Sequence, residues 1–154
     1  MREAQAYWIV APGRSEIRSQ PLRSPQAGEL LVRTLFSAIS RGTESLVFRG
    51  EVPEGERQRM RCPFQEGDFP GPVKYGYSAI GVVEDGSPGN LGRRVFCLHP
   101  HQDRFVVGED AVIDVPEAVP DRRGILAANM ETAVNGMWDG LPGPGDRISS
   151  LAPL

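Results

Sequence analysis

A chain of 154 residues, 40% hydrophobic and 24% charged, has the length of one domain and the composition of an ordinary globular protein. Its formal net charge of −3 gives no general attraction to a phosphate backbone, which argues against nucleic acid as a partner. No stretch is long and apolar enough for a signal-peptide core or a membrane span, so a cytoplasmic location away from membranes is expected. Cys62 and Cys97, the two cysteines, are then expected to stay reduced.

The 18 Gly and 14 Pro punctuate the whole chain, which predicts many short strands joined by tight turns. Tyr7 to Val10 and Glu16 to Leu22 read as two strands around the turn Ala11-Pro12-Gly13-Arg14-Ser15. Leu30 to Ile39 is rich in strand formers and long enough for a central strand. Thr43 to Gly50 has a Thr N-cap candidate, an acidic first turn and a terminal Gly, which describes a short helix. Residues 51 to 72 predict a long surface excursion with a single helix around Glu54 to Met60, the arginines of 57–61 lying on its solvated face. Strands are predicted again at Ala79–Glu84, Arg94–Leu98, Arg104–Val107 and Ala111–Asp114. The run from Arg123 to Trp138, free of Pro and rich in Ala, Leu, Met and Glu, predicts a closing helix.

Chemistry is concentrated in two places. Ser40-Arg41-Gly42-Thr43-Glu44 puts a hydroxyl and a carboxylate at a strand-to-helix junction, and Gly76-Tyr77-Ser78 puts a phenol just before a strand. Together with Pro72 to Glu84 and Gly92-Arg93-Arg94-Val95-Phe96 in this order, they resemble the N-terminal domain of zinc-type alcohol dehydrogenases, in the medium-chain dehydrogenase/reductase family. The resemblance runs from about residue 5 to residue 148. It implies a mainly β fold with short helices, a GroES-like β-barrel, over residues 1–148. It also implies a substrate-binding role in an NAD- or NADP-dependent oxidoreductase acting on an alcohol or carbonyl compound. Pro144-Gly145-Asp146-Arg147-Ile148 resembles the strand that opens the family's nucleotide-binding domain, but the tail 149–154 does not continue into a Gly-x-Gly-x-x-Gly turn. The expectation is therefore a truncated chain that does not bind the cofactor, is inactive by itself and self-associates through an exposed barrel edge. The alternative is a free-standing GroES-like module that binds without chemistry.

Where the family places zinc ligands, this chain has Arg41 or Ser40, then Tyr77 and Ser78. None of these is a zinc ligand, and Glu131, which resembles a metal-facing carboxylate of some relatives, cannot hold the ion by itself. Zinc is not expected. The resemblance to the family's zinc-free reductases implies that Thr43 relays a proton, that Tyr77 donates one or binds the substrate, and that Arg41 orients an anionic group. Glu44 and Ser78 would stand with them as binding residues, and Glu131 with the catalytic ones. Each has a plainer reading: a helix N-cap for Thr43, a core phenol for Tyr77 and a local ion pair for Arg41 and Glu44. Cys97, His99 and His101 alternate, so on a regular strand they would share a face and could approach a metal, although Pro100 opposes regularity there. No Gly-x-Ser-x-Gly elbow supports a hydrolase.

Overall fold

A computed structural model describes residues 2–147 and 149; Met1, Ile148 and 150–154, which include most of the tail, lie outside the described residues. The first hairpin joins β1 (Arg2–Ala11) to β2 (Arg14–Leu22) through the Pro12-Gly13 turn. The chain then forms β3 (Glu29–Ser37), α1 (Thr43–Arg49), β4 (Glu66–Gly67) and β5 (Val73–Lys74). It continues as β6 (Ala79–Asp85), β7 (Arg94–Cys97), β8 (Arg104–Gly108) and β9 (Val112–Asp114), and closes with α2 (Asp121–Gly124) and α3 (Ala127–Gly140).

Two antiparallel sheets result, in the orders β2-β1-β5-β4 and β8-β3-β6-β7-β9. Burial alternates along β8, whereas β3 buries Leu30, Leu31 and Val32 in succession and so packs on both faces, Leu31 against Ala4 and Leu22 of the hairpin. Leu30, Val32, Val83, Val95, Phe105 and Val107 fill the larger sheet, while Ile9, Val47, Val52, Phe69 and Tyr75 fill the space between the smaller sheet and α1. The 99–103 segment stitches the sheets together. Its Asp103 amide donates to the Gln5 carbonyl of β1 at 3.0 Å, and its Asp103 carbonyl accepts from the Thr34 amide of β3 at 2.8 Å. The result is a curled, mainly β architecture with short helices, a GroES-like β-barrel.

The predicted strands are present within about two residues of their expected ends, except that β1 begins five residues before Tyr7, at Arg2. Three local expectations change. Residues 54–60 form only a short 3₁₀ turn at Glu54–Glu56, because Pro53 and Pro63 bracket a stretch too short to propagate a helix. The same excursion supplies β4 and β5, whose two-residue length leaves no periodicity to read. The closing helix starts at Asp121 and breaks at Ile125, the residue of this region that is buried; α3 itself buries none of its side chains and exposes Met130, Met137 and Trp138. Residues 144–147, expected to enter a strand, form a turn and irregular chain.

Candidate active site

α1 begins where β3 has ended. Gly42 occupies the N-cap position with no side-chain cap, so Thr43 is the first helical residue and not the cap that its type suggested. No side chain caps the first helical amides; the Glu44 carboxylate instead folds back to accept from the Ser40 amide, ahead of the helix, at 2.8 Å. Gly50 closes the helix in the left-handed conformation at φ 71°, as its type predicts.

Glu44 is buried, and its second carboxylate oxygen meets Nε2 of His101 at 2.6 Å. A carboxylate can only accept, so Nε2 carries a proton, and in the neutral ring Nδ1 presents its lone pair. The Ser37 hydroxyl, at the end of β3, is hydrogen-bonded to that Nδ1. The same hydroxyl lies 3.2 Å from the Ser78 carbonyl, which gives its proton two acceptors. Ser37, His101 and Glu44 thus form a continuous hydroxyl–imidazole–carboxylate chain, with Ser37 exposed at one end and Glu44 buried at the other. Gly76 makes room for the ring: at φ 133° a Cβ there would stand 2.9 Å from the His101 Cδ2 and Nε2 atoms. Tyr7 packs edge-on against the ring at 6.2 Å. Glu44 also lines a cavity of about 200 Å³ with Tyr7, Ile9, Ile39, Ser45 and Phe48.

The residues singled out by sequence disperse around this chain. Glu44 forms its buried end, paired with His101 and not with Arg41, which is exposed and makes no ion pair among the described residues. Thr43 is half-buried at the helix start. Tyr77 is half-buried and packs perpendicular to Tyr75 at 6.2 Å, while its hydroxyl has no hydrogen-bond partner among the described residues. Ser78 is buried and its hydroxyl is committed to the Ile125 carbonyl at 2.7 Å. That places Ser78 as an anchor between β6 and the helix break. Ser78→Ala is expected to lower stability by about 1–2 kcal/mol by leaving the Ile125 carbonyl unpaired, measured by urea denaturation. Glu131 is exposed on α3, in the wall of a separate apolar cleft of about 440 Å³ with Phe96, Leu98, Ile113 and Met130. It does not join the cavity that Glu44 lines.

Cys97, His99 and His101 do not converge. Cys97 pairs with Ala79 in the core of the larger sheet, and burial pushes its thiol up to about 12. His99 stacks on Phe105 with ring centroids 3.8 Å apart, and His101 turns to Glu44. Pro100 breaks the strand alternation that the shared face required. No group of three or more His, Cys, Asp or Glu among the described residues is placed to hold a metal ion. Burial likewise raises the Cys62 thiol to about 11, so neither cysteine is a ready nucleophile at neutral pH. Sequence reasoning missed Ser37 altogether and met His101 only as a metal-ligand candidate. Their signal is tertiary, since 64 residues separate them.

No family model matches the sequence, nor does any curated protein. Solved structures do match the fold. An alcohol dehydrogenase of Escherichia coli CFT073 complexed with NADH superposes at a TM-score of 0.67 and 19% identity, over 91% of this chain and 46% of that one. The quinone oxidoreductase of Coxiella burnetii gives 0.65 and 17%, over 94% and 47%. A cinnamyl alcohol dehydrogenase of Sorghum bicolor gives 0.67 and 19%, over 94% and 50%. The chain thus spans about half the length of the structures it matches. It has the GroES-like fold of the medium-chain dehydrogenases and reductases.

Proposed function

We propose that this chain is the substrate-binding domain of an NAD(P)-dependent oxidoreductase of the medium-chain type, with an alcohol or carbonyl compound as substrate, and that these 154 residues are inactive by themselves. The observation that carries the reading is the Ser37–His101–Glu44 chain on a fold shared with alcohol dehydrogenases and quinone reductases. Interconverting an alcohol and a carbonyl requires a proton to leave or reach the substrate oxygen. The exposed Ser37 hydroxyl exchanges that proton with the substrate oxygen, His101 Nδ1 exchanges one with Ser37, and the Glu44 carboxylate holds the imidazole in the required tautomer. In this reading Thr43 and Tyr77 supply further hydroxyls to the substrate, and Arg41 orients an anionic group on it.

The residues in hand do not fit the dinucleotide. They contain no Gly-x-Gly-x-x-Gly, and every strand pairing described is antiparallel, whereas pyrophosphate is cradled at the turn of a parallel β-α-β unit. They do not fit zinc either, because the hydroxyls and guanidinium at 40, 41, 77 and 78 are poor donors and a fixed positive charge repels the ion. The expectation of self-association is supported by the apolar side chains exposed on α3, and no helix among the described residues is long and apolar enough to cross a membrane.

Amide chemical shifts during titration with benzyl alcohol and cyclohexanone test this reading. The shifts should concentrate at residues 37, 43, 44, 77 and 101 and vanish in His101→Ala. Perturbations confined to other surfaces overturn the site. NADH or NADPH binding to these residues tighter than about 100 µM, equivalent to roughly 5–6 kcal/mol, overturns the division of labour.

A further inference from the structure

A second cavity, of about 440 Å³, opens between β2, β4 and β8 and shares no lining residue with the chain of Ser37, His101 and Glu44. Its floor is chemically unusual. Lys74 lines it, yet its side chain is 2% exposed. Burying an ammonium costs several kcal/mol unless partners replace its water, and Lys74 has two: the Glu66 carboxylate, and Oε1 of Gln102 at 2.7 Å. An ammonium carries three N–H groups, so one remains to donate. Gln102 is held in place by its own bond to the Arg104 carbonyl at 2.6 Å.

His99 lines the same cavity and is 5% exposed. Its Nδ1–H donates to the Pro100 carbonyl at 2.9 Å, which fixes the tautomer and leaves Nε2 as a lone-pair acceptor with no partner among the described residues. Burial, aided by the nearby Lys74 charge, lowers its pKa to about 3, so the ring is neutral at physiological pH. Phe105 stacks on one side of the ring and Phe64 lies nearly parallel at 5.4 Å, which removes any freedom to turn Nε2 elsewhere. Leu22, Phe105 and Val106 make the apolar wall.

We propose that this cavity binds a small carboxylic acid that carries a hydroxyl group on a short apolar body, the carboxylate on Lys74, the hydroxyl donating to His99 Nε2, and the body against Leu22, Phe105 and Val106. Lys74 already donates to one carboxylate, that of Glu66, which stands half-exposed at 50% on a two-residue strand. A ligand carboxylate takes the remaining N–H. A neutral imidazole acceptor selects for an O–H and against a second anionic group, and the volume suits a ligand of about one ring. The site is independent of the proposed oxidoreductase role.

The test titrates the intact chain with 2-, 3- and 4-hydroxybenzoate, with benzoate and the methyl esters as comparisons, by calorimetry and by the ring-nitrogen resonances of His99. At least one hydroxybenzoate should bind with a Kd at or below about 1 mM. Its amide shifts should fall at 20, 22, 74, 99 and 102, and the His99 Nε2 resonance should move as an acceptor gaining a hydrogen bond. Benzoate and the methyl ester should each bind several-fold more weakly, and Lys74→Met, a replacement that removes the buried charge while keeping the volume, about tenfold more weakly. The wild-type His99 resonance keeps the result readable if that variant fails to fold. No saturable binding, an ester that binds as well as the acid, or shifts that fall at 37, 44 and 101 instead, would each overturn the site.

Discussion

Phe105→Ala is expected to destabilise the chain by about 3–5 kcal/mol, the range for a large aromatic removed from a close-packed core, measured by urea denaturation at neutral pH. Phe105 is 2% exposed and sits in the cluster with Leu30, Val32, Val83, Val95 and Val107. It lies on β8, which pairs with β3 from Glu29 to Arg33, so the substitution hollows the larger sheet at an edge strand that the hairpin packs against only lightly. Typical domain stabilities are about 5–15 kcal/mol, so the loss takes a large share of the total. A loss below about 1 kcal/mol would mean that the cluster is not packed as described. The variant should also let water reach His99, whose ring lies 3.8 Å from that of Phe105, and so raise its pKa.

The second large effect is a loss of stability with acid that begins well above the carboxylate range. His99 titrates at about 3 in the folded chain because burial disfavours its charged form, with the Lys74 charge acting in the same direction and the Pro100 hydrogen bond opposing them. In the unfolded chain it titrates near the ordinary value of about 6.5. The unfolded state therefore takes up a proton as pH falls through about 6.5 while the folded state does not, and stability falls with it. Above about 7 the contribution is flat; between about 7 and 5 the loss amounts to about 2 kcal/mol, approaching ~1.4 kcal/mol per pH unit, and it continues toward pH 3. Denaturation at several pH values measures this directly. In His99→Phe, which keeps a stacked ring without a titrating group, the slope between about pH 7 and 5 should disappear. A wild-type slope that is absent in this interval would show that His99 is not held neutral in the fold.

The local code was legible in the sequence. Strand-forming residue types bounded by turn residues specified β1, β3, β6, β7 and β8, the Pro12-Gly13 pair specified the first hairpin, and Gly50 specified where α1 stops. These features depend on neighbours a few residues apart, so their periodicity and turn chemistry show in a single sequence. Glu44 was recognisable by type and by its place at a strand-to-helix junction.

What the sequence could not determine depends on side chains that meet from far apart. His101 becomes a partner of Glu44 and Ser37 only because segment 99–103 bridges the two sheets, across separations of 57 and 64 residues. Ser78 looks like a binding hydroxyl beside Tyr77, but the break at Ile125 turns a carbonyl toward it that accepts its hydrogen bond. Lys74 sits in a two-residue strand that leaves no pattern to announce its burial, and Glu66 and Gln102 make that burial possible by replacing the water it loses. In each case composition and spacing supply the chemical group, while its charge state, tautomer and availability are set by partners that only the closed barrel brings within hydrogen-bonding reach.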